Sequence, residues 1–300
     1  MSKLENDTKI DMSKVDLLAG RRAFMKSAGL MAAGAATLGL TAATVDEAEA
    51  QVINDSVVLN FALNLEYLEA EFYLIAAFGR RLAASDTTGS GTLGGVTGGR
   101  KVSFATPIFE QYAREIANDE ETHVKFLRSA LGSARVARPA ININTSFTAA
   151  ARAAGLVGPT ATFDAYANEN NFLLAAFIFE DVGVTAYKGA ARFIQNKDFL
   201  EAAAGLLAVE AYHAGEVRTL LASRNLYVQA NKISDARDSL DGATDLDQGI
   251  GTATAINIVP TDANGLAFSR TPQQVLNVVY LGANASPASF FPNRTNGSIR

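Results

Sequence analysis

Two histidines and two glutamates stand at spacings that could bind metal ions. His123 and His213 are the only histidines of the chain, and they follow Glu120 and Glu210, respectively, by three residues. Residues three apart on an α-helix project from the same side, so each pair can present a carboxylate and an imidazole together. Oxygen and nitrogen ligands of this kind suit iron or manganese, and both segments therefore predict metal ligands.

Two further glutamates interrupt apolar helix faces. Glu66 and Glu180 lie among apolar residues that recur at spacings of three and four, and Glu120 and Glu210 interrupt two more such faces. A buried carboxylate is strongly unfavourable unless it is paired, so four of them on four core faces call for cations. One glutamate from each of two helices and Glu-x-x-His from each of two others is the ligand set of dinuclear iron or manganese carboxylate bundles.

The sequence thus predicts a site for two iron or two manganese ions with six ligands: Glu66, Glu120, His123, Glu180, Glu210 and His213. The alternative is a purely structural core, which would need mutual hydrogen bonds among these groups on every helix. Nothing in the pattern separates iron from manganese, because the same ligands serve both.

Three other residues share these faces. Glu69 is predicted either as a further ligand or acid near the ions, or as a carboxylate at the rim of the bundle. It follows Glu66 by three residues, and the residue that follows Glu180 by three is Gly183. Tyr73 and Tyr187 each follow a ligand glutamate by seven residues. They are candidate catalytic residues as redox-active phenols, or hydrogen-bond donors to the ligands, although core packing is the more ordinary role for buried tyrosines.

Four long helices are predicted to carry these residues. Helix-start and helix-stop signals place them at about 55–79, 106–131, 166–195 and 198–224, with Asp55 or Ser56 capping the first and Thr106 followed by Pro107 starting the second. The connection between the second and third helices is the long one, with a short helix near 146–154. A single crossover there predicts an all-α fold, an antiparallel four-helix bundle of the ferritin-like type.

The remaining segments are predicted to be irregular. Residues 85–101 are rich in glycine and predict a flexible surface loop, and residues 229–300 predict an extension that packs on the bundle of residues 51–228. A short helix is expected to start at Thr271 and Pro272. Several acidic residues are expected to be solvated, on the helices or in a loop of the extension: Glu71, Glu115, Glu121, Asp235, Asp238, Asp241, Asp245 and Asp247.

The composition excludes several classes of function, and the first fifty residues indicate where the protein is located. The net charge of −5 leaves no basic excess for nonspecific nucleic-acid binding, and the absence of cysteine excludes disulfides and thiol catalysis.

Arg21 and Arg22 precede a small-residue apolar stretch, 28–43, and an Ala-x-Ala sequence, 48–50. Residues 1–50 therefore predict a cleaved twin-arginine-type export signal and a periplasmic or extracellular protein. The stretch is too short and too polar for a stable membrane anchor.

Three segments resemble the ferritin-like superfamily, in a subgroup that includes desiccation-related proteins of plants. They are the sequence around Glu-Tyr-Leu-Glu-Ala-Glu-Phe-Tyr within 60–77, Ala-Asn-Asp-Glu-Glu-Thr-His at 117–123, and Phe-Ile-Phe-Glu-Asp-Val-Gly at 177–183; the tail from Ser269 to Val275 is also similar. The resemblance covers about residues 55–225. It implies a dinuclear metal site and redox chemistry with oxygen or peroxide.

The resemblance also implies roles for individual residues. Glu120 and Glu210 match the bridging or chelating carboxylates, and the two histidines match terminal nitrogen ligands. Asp119 looks like the acid that orients the opposite histidine, but Val209 stands at the equivalent position before Glu210, which is a departure from that pattern.

Two functions follow as expectations. The first is an exported ferroxidase or peroxide-consuming oxidoreductase, with oxygen or hydrogen peroxide as its small-molecule substrate. The second is a non-catalytic stress or desiccation-related protein that binds metal or protects surfaces; iron storage is a weaker third idea. No nucleic-acid partner is expected, and a homo-oligomer is left open.

Overall fold

The computed structural model describes residues 53–283, 285 and 289–300, so the predicted export signal lies outside the described residues. Seven α-helices occur in this part of the chain: α1 Asp55–Phe78, α2 Pro107–Leu131, α3 Thr145–Ala153, α4 Glu169–Ala191, α5 Lys197–Ser223, α6 Tyr227–Asp238 and α7 Pro272–Tyr280. Four strands of two residues complete it: β1 Val96–Thr97, β2 Ile141–Asn142, β3 Gly251–Thr252 and β4 Ala255–Ile256. None of the helices described is both long and apolar enough to cross a membrane.

The four long helices form two pairs. Helix α1 packs along α2, and α4 packs along α5, while the two pairs meet through α1 and α4. The chain crosses between the pairs through a long connection that contains α3 and the short parallel pairing of β1 with β2. The predicted all-α four-helix bundle with one long crossover is confirmed.

The first helix is capped one residue before the predicted position. Asn54 is the N-cap, and its side-chain oxygen accepts a hydrogen bond from the backbone N–H of Val57 at 3.0 Å. Asp55 instead accepts from the backbone N–H groups of Gln195 and Asn196, at 2.7 and 2.9 Å. The prediction of Asp55 or Ser56 as the cap is therefore wrong, because the Asp55 carboxylate ties the start of α1 to the turn before α5.

Helix α1 is buried on nearly all of its sides, which overturns one prediction. The backbone around Val136 covers part of its outer face and accepts a hydrogen bond from Tyr67 at 3.2 Å. Asn296, near the end of the chain, covers another part and exchanges hydrogen bonds of 2.9 Å with Asn64. Glu71 on this outer face is fully buried rather than solvated. The guanidinium of Arg138 contacts its carboxylate directly, and Arg81 lies 3.4 Å from it, so the buried charge is compensated.

The glycine-rich segment is ordered by hydrogen bonds rather than being a free loop. The backbone of Ser90 pairs with the backbone at 135–137, and strand β1 pairs with β2. Gly94 permits this close approach, since a Cβ there would lie 2.1 Å from the backbone nitrogen of Ala140. The prediction of a flexible surface loop missed this packing.

The C-terminal region contains a buried ionic network instead of a solvated acidic loop. Asp235 and Asp238 lie in helix α6. Asp241 and Asp247 are buried, and Arg270, which is 1% exposed, binds both at 2.6 and 2.7 Å. The prediction that these aspartates form a solvated loop is thus wrong for this pair, because a buried arginine distant in sequence neutralises them.

Candidate metal centre

The six predicted ligands come together between the two helix pairs. Helix α1 supplies Glu66, α2 supplies Glu120 and His123, α4 supplies Glu180, and α5 supplies Glu210 and His213. All six residues are buried, and none is more than 6% exposed. Each comes from a helix interior, where the backbone is fully hydrogen-bonded and rigid.

One group of donor atoms surrounds His123. Its Nδ1 atom lies 3.2 Å from a carboxylate oxygen of Glu66 and 3.6 Å from oxygens of Glu120 and Glu210. Donor atoms from these four residues all lie within 4.8 Å of one another. Three carboxylates and one imidazole at this separation can bind a single divalent cation.

A second group lies beside the first. The Nδ1 atom of His213 is 3.2 Å from an oxygen of Glu120 and 3.7 Å from one of Glu180. Glu69, Glu180 and Glu210 also bring oxygens within 4.8 Å of one another. Glu120 and Glu210 therefore stand between the two groups, and Glu69 is placed inside the cluster rather than at the rim.

The two halves of the cluster differ at one position. Glu69 follows Glu66 by three residues, and the residue that follows Glu180 by three is Gly183. A Cβ on Gly183 would lie 2.3 Å from an oxygen of Glu210, so any side chain there would displace that carboxylate. The absence of a side chain at 183 thus makes room for Glu210. Glu69 adds a carboxylate that has no equivalent on α4.

Tyr73 and Tyr187 each contact a glutamate of the opposite helix pair. The hydroxyl of Tyr73 on α1 donates to Glu180 on α4, and the hydroxyl of Tyr187 on α4 donates to Glu66 on α1. These reciprocal bonds show that α1 and α4 run antiparallel, with an approximate twofold relation between the halves. Each tyrosine thus donates a hydrogen bond to one oxygen of its glutamate, and the other oxygen has no hydrogen-bond partner.

Asp119 contacts the histidine of the other helix pair. Its Oδ2 atom is 3.1 Å from Nε2 of His213, on the opposite side of the ring from the cluster. A proton shared there leaves the Nδ1 lone pair directed at the carboxylates, which is the tautomer that a metal ligand needs. The structure thus places Asp119 where the resemblance puts it; its orienting role stays a prediction.

Burial and mutual repulsion determine how the glutamates titrate. Burial, reinforced by the charge of Glu120, raises the pKa of Glu66 to about 7. Burial raises the pKa of Glu180 to about 8, and the pKa values of Glu69 and Glu210 are raised well above the usual range. Burial also acts on Glu120, but the attraction of the two neighbouring histidines outweighs it and holds its pKa well below the usual value.

The same carboxylates keep the histidines charged. Burial lowers the pKa of His123, but Glu66 and Glu120 outweigh it and raise the pKa to about 11. For His213, the interactions with the carboxylates of Asp119 and Glu120 likewise overcome burial and raise the pKa to about 10. Without metal, protons therefore take the place of cations in the cluster.

The unpaired atoms of the cluster provide a test of whether metal ions fit. Each of the six ligand residues has at least one buried oxygen or nitrogen with no hydrogen-bond partner: Glu66, Glu120, His123, Glu180, Glu210 and His213. Buried polar atoms are ordinarily satisfied, and a bound cation would satisfy a group of them that face one another. All are oxygen or imidazole nitrogen donors, which fit two iron or manganese ions.

One acidic residue beside His213, Glu216, was not predicted from the sequence. Glu216 follows His213 by three residues on α5, and burial raises its pKa to about 7. That spacing was a usable signal, since it places Glu216 on the same side of the helix. Asp181, the residue after Glu180, forms ion pairs of 2.7 Å with Arg218 and Arg237.

Comparison with known proteins agrees with this geometry. The profile of the ferritin-like domain matches residues 54–223, which span all four bundle helices and the six predicted ligand residues. The desiccation-related protein PCC13-62 of Craterostigma plantagineum is 33% identical over 267 residues, covering 81% of this chain and 83% of that protein. The ferritin-like catalase Nec2 of Nesocodon mauritianus is 29% identical over 280 residues, covering 85% and 86%. No solved structure gave a significant match.

The chain therefore belongs to the ferritin-like domain family. The predicted relation to desiccation-related proteins is confirmed as well.

Proposed function

We propose that this member of the ferritin-like family is an oxidoreductase that uses a pair of iron or manganese ions to react with hydrogen peroxide or oxygen. The observation that supports it most directly is the buried cluster of five carboxylates and two imidazoles, whose unpaired atoms face one another. Two divalent ions would offset four of the five negative charges that these glutamates carry when ionised, so metal binding would relieve the repulsion within the cluster.

The residues of the chain would divide the work of holding the ions. Glu66 with His123 would bind one ion and Glu180 with His213 the other, while Glu120 and Glu210, which lie between the groups, would contact both. When bound, two such ions supply electrons to, or take them from, oxygen or peroxide by changing oxidation state. Glu69 would add negative charge at the ion next to Glu180.

The tyrosines and Asp119 would serve the ligands rather than the ions. Tyr73 and Tyr187 fix the rotamers of Glu180 and Glu66 by donating hydrogen bonds to one oxygen of each. Their phenol groups also stand one hydrogen bond from the ligands, where they are candidates for donating an electron and a proton. Asp119 would set the tautomer of His213.

Hydrogen peroxide is the substrate we favour. The relative from Nesocodon mauritianus is named a ferritin-like catalase and matches 85% of this chain. The site itself is buried and closely packed, with ligand donors within 4.8 Å of one another. Such a site suits a molecule of two heavy atoms better than a large organic substrate.

A non-catalytic role is the second candidate. The relative from Craterostigma plantagineum, whose name refers to desiccation, shares a higher identity with this chain than the catalase from Nesocodon mauritianus does. In that case the chain would bind metal ions as a protective or sequestering protein and would leave peroxide unchanged. Iron storage is a weaker variant of the same idea.

Peroxide consumption by the reconstituted protein separates the two candidates. We expect the wild type, loaded anaerobically with Mn(II) or Fe(II), to consume hydrogen peroxide over many turnovers. Glu120→Gln should abolish this, while Glu121→Gln, one residue away on the partly exposed side of α2, should leave it unchanged. A loaded wild type that binds metal but does not consume peroxide or oxygen would support the non-catalytic role.

We also propose that the protein is exported, on the evidence of the arginine pair and the Ala-x-Ala sequence in residues 1–50. Export in folded form would let the ions be loaded inside the cell. Replacing Arg21 and Arg22 by lysine should retain the protein in the cytoplasm with residues 1–50 uncleaved. Unchanged secretion of that double variant would exclude the twin-arginine route.

A further inference from the structure

A surface groove lies between α2 and α5. Its volume is about 770 Å³, which is within the range of small-molecule sites. The groove is lined by Tyr112 of α2, by seven residues of α5 between 208 and 220, and by Ile258 and Val259 of the C-terminal region. An added Cβ at Gly215 would meet no neighbouring atom within 4 Å, so the groove is open beside this glycine. The protein therefore leaves room for a small organic molecule here.

Two tyrosines give the groove an aromatic surface. Tyr112 is partly exposed and Tyr212 is 78% exposed, and each comes from a different helix. Val259, which is 72% exposed, extends this apolar surface. Large apolar side chains that stay exposed beside one another mark binding surfaces, and the faces of tyrosine rings attract both other rings and cations. The groove thus favours a ligand that is aromatic, cationic or both.

One unpaired carboxylate belongs to the groove. Glu216 lines it and is partly exposed, and of its two carboxylate oxygens Oε1 is buried whereas Oε2 is not. No residue in the described part of the chain forms an ion pair with Glu216. None of the described residues that line the groove is a lysine or an arginine. The groove therefore presents a negative charge that lacks a basic partner.

Two carboxylates of α2 add to this charge. Glu115 and Asp119 follow Tyr112 by three and seven residues, so all three lie on one side of α2. Burial raises the pKa of Glu216 to about 7, repulsion from Glu115 and Asp119 adds to this effect, and His213 opposes it. Three carboxylates against one imidazole leave this end of the groove negative, which attracts cations and repels anions.

We infer that this groove binds a small aromatic amine, with its ammonium group at Glu216 and its ring against the tyrosines. An ammonium group supplies the positive charge that Glu216 lacks, and an aromatic body suits the exposed rings. A neutral phenol would make only the aromatic contacts, and an anion would be repelled by the carboxylates. None of the predicted metal ligands lines the groove, so this site is distinct from the metal centre.

Three phenols of similar size test the role of charge. Tyramine is a cation, 4-ethylphenol is neutral, and 3-(4-hydroxyphenyl)propionate is an anion. At pH 8, above the pKa of Glu216 of about 7, equilibrium dialysis with the purified wild type should show saturable binding of tyramine at millimolar concentration or below. We expect 4-ethylphenol to bind about three- to fivefold more weakly, because the charge interactions are lost, and the anion not to bind saturably.

Two pairs of variants on α5 locate the binding. Glu216→Gln removes the charge at constant size and should reduce the affinity for tyramine to about that for 4-ethylphenol, whereas Glu201→Gln, at an exposed position outside the groove, should not. Gly215→Leu fills the open part of the groove and should abolish binding of both compounds. Gly205→Leu, at another glycine of α5 with open space around it, should leave both affinities unchanged.

Equal affinity of the wild type for the three phenols, or no saturable binding of tyramine, would overturn the inference. A second copy of the chain is the alternative occupant of the groove. Sedimentation would then show a wild-type dimer that Gly215→Leu separates, and this result would overturn the inference as well. The comparison of the three phenols uses only the wild type, so it decides the question even if a variant fails to fold.

Discussion

Asp119 on α2 lies 3.1 Å from Nε2 of His213 on α5, but the position that precedes Glu210 on α5 is Val209. Only one of the two histidines is therefore held by an aspartate of the opposite helix pair. A partner on the outer nitrogen fixes the ring and its tautomer.

Asp119→Asn should weaken the retention of metal at one of the two positions. Loss of such a partner lowers metal affinity about 10- to 100-fold. Competition with a chelator, followed by metal analysis, would measure the change. Glu115→Gln, an exposed change on the same helix, is the matched control and should leave both positions as in the wild type.

Glu69 should make the two metal positions unequal. It adds a carboxylate beside Glu180 and Glu210, and added negative charge favours a divalent cation. Titration of Mn(II) into the metal-free protein should show two distinct calorimetric steps in the wild type. In Glu69→Gln, which keeps the size and removes the charge, the steps should converge; two indistinguishable steps in the wild type would refute the asymmetry.

Tyr73→Phe should destabilise the loaded protein by about 1–3 kcal/mol, because the carboxylate of Glu180 loses a buried donor. Urea denaturation would measure the free energy of unfolding. Tyr212, which is 78% exposed, provides the control through Tyr212→Phe, where we expect no change. Equal stability of the two variants would mean that the hydroxyl of Tyr73 does not support the ligand.

The metal-free protein should lose stability as the pH rises from about 5 to 9. Folding raises the pKa of Glu66 to about 7 and of Glu180 to about 8, and that of His123 to about 11. Between the unfolded values, about 4.5 and 6.5, and these folded values, the native state binds more protons than the unfolded state. The free energy of unfolding therefore falls with rising pH in this window.

Metal should reverse this dependence, because the ions displace the same protons and bind better at high pH. Thermal denaturation at pH 5.5 and 8.5, with and without Mn(II), would show the opposite trends. Metal-free protein whose melting temperature does not fall over this range would contradict the assignment of the protons.

Local patterns made the bundle, and the meeting of the six candidate ligands within it, predictable from sequence. Caps, prolines and apolar periodicity act within a few residues, and the Glu-x-x-His spacing of Glu120 with His123 fixes which side of the helix both occupy. Helix α1 is capped by Asn54 rather than by Asp55, because the Asp55 carboxylate binds the backbone before α5, which no local pattern reveals.

Long-range compensation was not predictable in the same way. Glu71 is buried because Arg138, 67 residues away, neutralises it, and Asp241 is buried because of Arg270. A periodicity argument assigns such charges to solvent, since it cannot show which distant arginine will meet them. Similarly, the glycines of residues 89–99 indicated a loop but not the backbone that approaches them.

The metal content of the purified chain tests the central claim most directly. After anaerobic reconstitution with Fe(II) or Mn(II) and removal of excess ions, mass spectrometry should find about two ions per wild-type chain. Glu120→Ala should hold one or none, because its carboxylate faces both histidines, while Glu121→Ala should hold two. A wild type that takes up neither metal, or a Glu120→Ala variant that binds as much as the wild type, would contradict the account.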